Sequence, residues 1–285
     1  MTAPTISMKS KVKILVTVPN PEHLNACTLV FDTLRVGFPT AQITVDINPS
    51  TDVQADTSWA TAQKAIAAGC SWRLLSKKVH HADWIRQQVE RHDSESPLII
   101  LDADTVFWKS CEDWVFPSDT LLAGYYVPRI WNDFAKCVSF PRLHTSLLWM
   151  PNTAALRCRI AAAYPPALEA HGEYCPCDPY MPAVRFEKGK PYFWDTCANL
   201  YNMLPPSEVA HFTPERLECY DHLNSASFYD VMLDRLHGDK EGFAYLHRFG
   251  TLPGRPNVLR NLWPHVDAYY AERALQARLE ERSFV

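Results

Sequence analysis

The stretch PLIILDADTVF, residues Pro97–Phe107, decides the fold. Its apolar residues 98–101 run directly into Asp102 and Asp104, which are separated by one alanine. A short continuous apolar run predicts a buried strand, and two carboxylates this close repel each other unless a positive charge lies between them. Mg²⁺ and Mn²⁺ prefer hard oxygen ligands of this kind. The stretch therefore indicates a divalent-cation site at a strand end; the alternative is a solvated turn capped by one aspartate.

The segment before this stretch alternates between strand and helix patterns. Such alternation predicts an α/β protein with a mostly parallel sheet and helices on its faces. Ligands bind sheets of this kind at the carboxyl ends of the strands, which is where the two aspartates are expected. The predicted strands are 13–18 and 42–47, and the predicted helices are 22–36, 59–68 and 82–91.

The second half of the chain is less regular. Apolar and aromatic runs predict strands at 121–127 and 143–149 and a further strand at 243–247. A proline-rich loop is expected at 165–192. Helices are predicted at 152–164, 193–204 and 267–282.

Composition limits the function classes. The chain has 285 residues, 47% of them hydrophobic, with a net charge of −4 and a pI near 6.3. This acidity does not favour a nucleic-acid partner, which requires a basic face, although a local basic groove stays open. The sequence contains no apolar run of transmembrane length and no signal-peptide pattern. We expect a cytoplasmic protein with one large domain, residues 1–285.

Nine cysteines are scattered along the chain, as is typical of small core residues in a reducing compartment. One group stands out, because His171, Cys175, Cys177 and Asp178 follow one another closely. Structural zinc sites more often use two separated C-x₂-C pairs. A structural metal at Cys175 and Cys177 is therefore one hypothesis, and a proline-rich acceptor loop is the other.

The segment 102–106 fits the Asp-x-Asp motif of haloacid-dehalogenase-like phosphatases, in which the first aspartate is the nucleophile. In this chain that residue would be Asp102. The phosphatase motif normally follows the first strand of the fold, whereas here two predicted strands and three predicted helices precede it. The nearest candidate for the downstream acidic metal ligands of that family is Gly238-Asp239.

Over residues 11–255 the chain resembles nucleotide-sugar-dependent glycosyltransferases of the GT-A kind, in which an Asp-x-Asp ends the fourth strand. LIILDADTVF is similar to that element in sequence and place. Residues 143–152 are similar to the family stretch Phe-Asn-Ser-Gly-Val-x-x-x-Asn, with Leu147 where glycine is usual. The family's His-x-x-Gly-x-x-Lys-Pro is matched in its first half by residues 247–250, and Arg255 lies near the place of the lysine.

This resemblance implies a single GT-A-type half-Rossmann mixed sheet flanked by helices. Residues of about 11–104 would bind nucleotide, about 105–260 would bind the acceptor, and 261–285 would form a C-terminal helix. The implied reaction moves a sugar from a UDP-linked donor to an acceptor hydroxyl. The implied ligands of Mn²⁺ or Mg²⁺ are Asp102, Asp104 and His247, and the implied donor-binding residues are Thr17, Pro19, Asn20, Asp46, Arg86, Asp102, Ala103, His144, Ser146 and Arg255.

An inverting transferase also needs a carboxylate that deprotonates the acceptor hydroxyl. Asp195, next to two aromatic residues at the start of a predicted helix, is the candidate for this general base, and a helix N-cap is its alternative role. Two further hypotheses stay open. One is a nucleotidyltransferase, although PNPEHLN after the first strand lacks its glycine-rich basic loop. The other is a sugar- or nucleotide-binding module without activity.

Overall fold

A computed structural model of the chain describes residues 10–17, 28, 30–49, 55–92, 96–129, 131–132, 137–163 and 178–222. Its strands are β1 (Lys11–Thr17), β2 (Gln42–Asn48), β3 (Ser71–Leu74), β4 (Leu98–Asp102), β5 (Thr105–Phe107), β6 (Leu122–Val127), β7 (Trp131–Asn132), β8 (Cys137–Ser139), β9 (Arg142–Met150), β10 (Ala183–Glu187), β11 (Lys190–Trp194), β12 (Val209–His211) and β13 (Tyr220–His222). Its α-helices are α1 (Val30–Gly37), α2 (Ala55–Ala67), α3 (His81–Arg91), α4 (Thr153–Ala163), α5 (Ala198–Met203) and α6 (Pro214–Leu217).

A seven-stranded sheet forms the centre, in the order β12-β6-β9-β4-β1-β2-β3. Strands β4, β1, β2 and β3 are parallel, whereas β9 runs antiparallel to both β4 and β6. Four parallel strands joined by helices form the half-Rossmann part, and β9 makes the sheet mixed. The predicted fold class, an α/β mixed sheet flanked by helices, is confirmed.

Strand β4 lies in the middle of this sheet and is buried on both faces. Leu98, Ile99, Ile100 and Leu101 are each 0% exposed. Because side chains alternate along a strand, Ile99 and Leu101 pack into one core with helix α1, and the other two pack into a second core with helix α3. Burial on two faces explains why this strand is a continuous apolar run.

Two smaller sheets extend the molecule. One contains four strands in the order β10-β11-β8-β7, and the other pairs β13 with β5. In that second pair His222 lies opposite Thr105, and Tyr220 lies opposite Phe107. Strand β5 follows the aspartate pair directly, so β13 brings its last residue to the same end of the central sheet.

The predicted helix 193–204 is wrong in its first part. Phe193 and Trp194 end strand β11, which pairs with β10 and with β8. The chain then turns at 195–197, where Cys197 has a φ of 62°, and helix α5 begins at Ala198. The three consecutive aromatic residues 192–194 are of types enriched in strands. Asp195 is therefore not the residue at which the helix starts.

The other predicted helices and strands differ less from the observed ones. Strand β3 is missing from the predicted set, because only four residues form it and all four are exposed. Helix α1 begins at Val30, within the predicted helix 22–36. The predicted strand 243–247, the helix 267–282 and the group His171, Cys175 and Cys177 lie outside the described residues. Where the structure describes the chain, its helices are too short or too polar to cross a bilayer.

Candidate active site

Both aspartates of the DAD motif lie at the carboxyl end of β4, as the sequence predicts. Asp102 is the last residue of the strand, and Asp104 occupies the two-residue turn before β5 and is only 5% exposed. The turn is held in place because the Val30 N–H, at the start of helix α1, donates to the carbonyl of Ala103 over 2.9 Å. Backbone pairing on both sides therefore fixes where the two carboxylates point.

Three histidines surround the two carboxylates. Nε2 of His222 lies 2.9 Å from Oδ1 of Asp104 and 3.7 Å from Oδ2 of Asp102. Nε2 of His81 lies 3.4 Å from the other oxygen of Asp102, and the ring centroid of His144 is 4.8 Å from that of His222. The three rings come from α3, β9 and β13, so only the folded chain brings them together.

Helix α3 presents His81 from its first turn. The preceding residue, His80, caps the helix by accepting the Ala82 N–H on its Nδ1. The chain entering the helix is fixed by Asn48, whose side chain donates to the carbonyl of Val79 over 2.9 Å and accepts its N–H over 2.8 Å. This loop runs along the carboxyl end of the sheet and delivers His81 to Asp102.

Strand β9 contributes both a histidine and a hydroxyl. Thr145 Oγ1 donates to Oδ2 of Asp102 over 3.3 Å. The Ser146 N–H donates to Nδ1 of His144 over 3.1 Å. Since Nδ1 accepts this bond, neutral His144 carries its proton on Nε2. In that tautomer His144 is a hydrogen-bond donor towards the site.

The charges of the site act strongly on one another. Burial raises the pKa of Asp102 and outweighs the opposing effects of His81 and His222. Burial also acts to raise the pKa of Asp104, but the charge and hydrogen bond of His222 outweigh it, and that pKa lies below its usual value. Burial, followed by the charges of His222 and Arg142, holds the pKa of His144 well below its ordinary range, so its ring is neutral. The site lacks enough positive charge for two buried carboxylates.

The donor atoms fit a divalent cation. One ligand atom each of Asp102, His144 and His222 lies within 4.8 Å of the other two. Two ligands on opposite sides of an ion with bonds of about 2.2 Å are about 4.4 Å apart, a distance that small side-chain rotations reach. An added cation would also neutralise the two carboxylates, so Asp102, Asp104 and His222 fit a bound metal ion. His144 could join them only by giving up the bond from the Ser146 N–H to its Nδ1.

Asp46 and Arg86, two predicted donor-binding residues, are engaged within the protein. Asp46 is 0% exposed; its carboxylate pairs with the Arg73 guanidinium and accepts the Trp84 indole N–H over 2.6 Å. Arg86 pairs with Asp178, and its Nη2 lies 3.4 Å from Asp83. A nucleotide contact would require Asp46 to exchange one of these bonds, whereas the guanidinium of Arg86 has N–H groups besides those on Nη2. Both assignments stay predictions.

Asp195, the predicted general base, lies in the turn between β11 and α5. Its Oδ2 is 2.7 Å from Nη2 of Arg142, and its Oδ1 accepts the Thr196 N–H over 2.8 Å. Both oxygens therefore have partners, and the carboxylate caps its own turn. The general-base role stays a prediction.

The remaining predicted residues are distributed as follows. Thr17 ends β1, and its hydroxyl accepts the Asn48 amide over 3.3 Å. Ser146 is 1% exposed, and its carbonyl accepts the Thr105 hydroxyl over 3.1 Å. Ala103 contributes its carbonyl to the turn described above. The other predicted residues, Pro19, Asn20, His247 and Arg255, lie outside the described residues.

Sequence reasoning missed His222 and His81. His222 is a single histidine, and His81 follows only His80, which caps the helix. Their approach to the aspartates depends on strand pairing and on the start of a helix. His81 lies at the start of the helix that precedes the DAD strand. This position was the only signal in the sequence that could have pointed to it. Nothing in the sequence around His222 indicates its partner.

Comparisons with known proteins add the fold context. No family model matches the chain, and no curated protein matches it. The WbbM bifunctional glycosyltransferase in its apo form is similar, with 11% identity and a TM-score of 0.46, over 91% of this chain and 52% of that chain. This chain thus spans about half the length of WbbM.

Two further solved structures are similar to the chain. The mannosyltransferase PcManGT from Pyrobaculum calidifontis, in complex with GDP-Man and Mn²⁺, shares 15% identity with a TM-score of 0.38, over 98% of this chain and 82% of that one. The 4-diphosphocytidyl-2C-methyl-D-erythritol synthase from Anaerococcus prevotii shares 11% identity with a TM-score of 0.40, over 80% and 99%. The predicted resemblance to glycosyltransferases is found among these structures. Because all three TM-scores are below 0.5, the similarity does not decide between the activities that the names of these proteins state.

Proposed function

We propose that this chain is a metal-dependent glycosyltransferase that moves a sugar from a nucleoside diphosphate sugar, UDP-linked as the sequence resemblance implies, to an acceptor hydroxyl. The observation that carries the proposal is the meeting of Asp102, Asp104 and His222 at the carboxyl end of β4. In open α/β sheets this edge is where nucleotides bind. Residues 11–104 are proposed to bind the nucleotide, and residues 105–260 the acceptor.

The metal is proposed to bind to Asp102, Asp104 and His222, with His247 as an additional predicted ligand. A bound divalent cation would supply Lewis-acid stabilisation of the charge that develops on the departing diphosphate. Imidazole ligands suit transition metals, whereas Mg²⁺ retains oxygen ligands and waters. Of the two predicted ions, the donor set therefore favours Mn²⁺. His81 lies at Oδ1 of Asp102, the oxygen away from His222, and Thr145 donates to Oδ2, the oxygen that His222 approaches. Together they orient this carboxylate.

His144 is proposed to donate a hydrogen bond from Nε2 to an oxygen of the donor. Its Nδ1 is occupied by the Ser146 N–H, so Nε2 carries the proton when the ring is neutral. Burial and neighbouring positive charge lower its pKa and keep it neutral. A neutral N–H held in place beside the metal would stabilise the negative charge that develops on the departing diphosphate. It would do so without adding another positive charge to the site.

The phosphatase alternative uses Asp102 as a nucleophile. In the folded chain Asp102 accepts the Thr145 hydroxyl and lies close to both His81 and His222. Three strands precede β4 in sequence, whereas the phosphatase motif follows the first strand of its fold. These observations favour a ligand role over a nucleophile.

The test is donor hydrolysis by the purified chain. We expect slow release of nucleoside diphosphate from one member of a panel of UDP- and GDP-sugars in the presence of Mn²⁺, and none with excess EDTA. Asp104→Ala should abolish this release while the protein remains folded, because the substitution removes a ligand rather than packing. Asp119→Asn, at an exposed aspartate in the turn before β6, is the matched control. Chelator-resistant hydrolysis, or full activity of Asp104→Ala, would contradict the proposal.

A further inference from the structure

An ion pair between Arg142 and Asp195 lies beside the candidate metal centre. Nη2 of Arg142 is 2.7 Å from Oδ2 of Asp195, and the arginine side chain is only 12% exposed. The second terminal nitrogen, Nη1, is buried and has no hydrogen-bond partner among the described residues. A buried charged donor without an acceptor is unfavourable, so this nitrogen is suited to a ligand that brings one.

Arg142 and Asp195 lie near the proposed metal ligands but are not among them. Arg142 precedes His144 by two positions on strand β9, a spacing of about 7 Å along one face of a strand. Asp195 is not among the described groups whose ligand atoms cluster with Asp102. Arg142 lies on the same strand face as His144, within reach of a group attached to a phosphate that a metal there would hold.

Aromatic rings form an apolar wall next to the pair. Trp194 immediately precedes Asp195, and Phe140 lies two residues before Arg142. The two rings stack with centroids 4.0 Å apart and an angle of 19° between their planes. A polar pair beside an apolar surface is typical of small-molecule sites, where a few placed polar groups give orientation and specificity.

The charge balance of the pair distinguishes a sugar from a phosphate. Because Asp195 neutralises Arg142, the pair offers the diphosphate no net positive charge. It does offer a donor on Nη1 next to an acceptor carboxylate, and a sugar hydroxyl both donates and accepts. A site built to hydrogen-bond a hydroxyl also rejects analogues that lack it, because its own polar groups would remain unpaired.

We propose that Arg142 and Asp195 form the subsite that recognises the hydroxyl groups of the transferred sugar. Nη1 of Arg142 donates to one sugar hydroxyl, and the Asp195 carboxylate holds the guanidinium and accepts from the same or a neighbouring hydroxyl. This inference rests on the proposed function, since it assumes a nucleotide sugar at the metal centre. It assigns Asp195 to binding and positioning, a role separate from the predicted general base.

Calorimetric titrations in Mn²⁺ separate sugar binding from phosphate binding. The probes are UDP, GDP, UDP-glucose, UDP-galactose and GDP-mannose, each titrated into the wild-type protein and into Arg142→Met. We expect the variant to bind the free nucleoside diphosphate within about twofold of the wild type. Its affinity for the matching nucleotide sugar should fall about tenfold or more, because only that ligand brings the hydroxyls.

Asp195→Asn keeps the side-chain volume and provides a second route if Arg142→Met does not fold. It should also weaken binding of the nucleotide sugar and spare the free diphosphate. Arg159→Met, at an exposed arginine paired with Glu208, is the matched control and should change neither affinity. Circular dichroism of each variant establishes that the fold is retained.

The outcomes separate the two proposals. Equal losses for diphosphate and nucleotide sugar would place Arg142 at the phosphates and overturn the sugar subsite. Unchanged affinity for both ligands in the folded variants would also overturn it. If the wild-type protein binds no probe in Mn²⁺, the proposed function itself fails, and it fails independently of Arg142.

Discussion

Nε2 of His222 lies 2.9 Å from Oδ1 of Asp104, although the two residues are far apart in the chain. Strand β13 pairs with β5, the strand that directly follows the aspartate turn, and this pairing places His222 at the carboxylates. The contact joins the first half-sheet to the later part of the chain. It gives the candidate site a nitrogen donor atom that the DAD motif alone does not provide.

Replacing His222 should weaken metal binding. His222→Asn removes one proposed ligand, and we expect the affinity for Mn²⁺ to fall by at least about tenfold, the effect that even indirect partners of a metal have. Titration followed by Mn²⁺ electron paramagnetic resonance measures this affinity directly. His211→Asn, at a histidine stacked on Tyr126 in the edge strand β12, serves as the control. Equal Mn²⁺ affinity in both variants would remove His222 from the ligand set.

Gly37 should not tolerate alanine. A Cβ at this position would lie 2.5 Å from ring atoms of Phe107, in the strand that follows the aspartate turn. The resulting overpacking should lower the free energy of unfolding by about 1–3 kcal/mol, measured by urea denaturation. A double variant that adds Phe107→Leu should recover part of this loss, because the leucine side chain leaves room for the methyl group. Additive losses would show that the ring is not the obstacle.

Asp46 should contribute to stability whether or not it contacts a nucleotide. Asp46→Ala leaves the buried indole N–H of Trp84 without its acceptor and removes the partner of Arg73. Because Arg73 is half exposed and can turn to solvent, we expect a loss of about 2–3 kcal/mol, below that of a fully buried pair.

The same variant tests the nucleotide contact predicted for Asp46. If Mn²⁺-dependent binding of nucleoside diphosphate by the folded variant stays at the wild-type level, the residue serves the fold alone. A loss of nucleotide affinity much larger than the control Asp119→Asn shows would instead support the predicted contact. Binding should be measured well below the urea midpoint of the variant, so that only folded protein contributes.

Cysteine reactivity should separate exposed from buried thiols. Cys158 is exposed, whereas Cys70 and Cys111 are buried. Burial raises the pKa of Cys70 to about 11 and raises that of Cys111 further. Because the thiolate is the reactive form, iodoacetamide at pH 8 should modify Cys158 before Cys70 and Cys111, and modification of Cys70 should increase only as the pH approaches 11. Peptide mapping by mass spectrometry reads each site; rapid modification of Cys111 in the folded protein would contradict its buried position.

Much of the core fold follows from local pattern. The apolar run of β4 and the alternation before it predict a sheet with the two aspartates at its carboxyl edge, and the structure places them there. The half of the site made by Asp102 and Asp104 could therefore be located from spacing alone. The strand at Phe193 and Trp194 was misassigned, because a short run of aromatic residues next to a helix has no distinctive period.

The sequence by itself determined where the carboxylates lie, because β4 is buried on two faces and is apolar up to its last residue, Asp102. Only the tertiary structure decided which histidines meet those carboxylates, and that Asp46 and Asp195 are paired with arginines. These contacts are made across strand pairings and turns between distant segments. No local period encodes them, because their free energy comes from the packing of the whole sheet and not from the residues next to them in the chain.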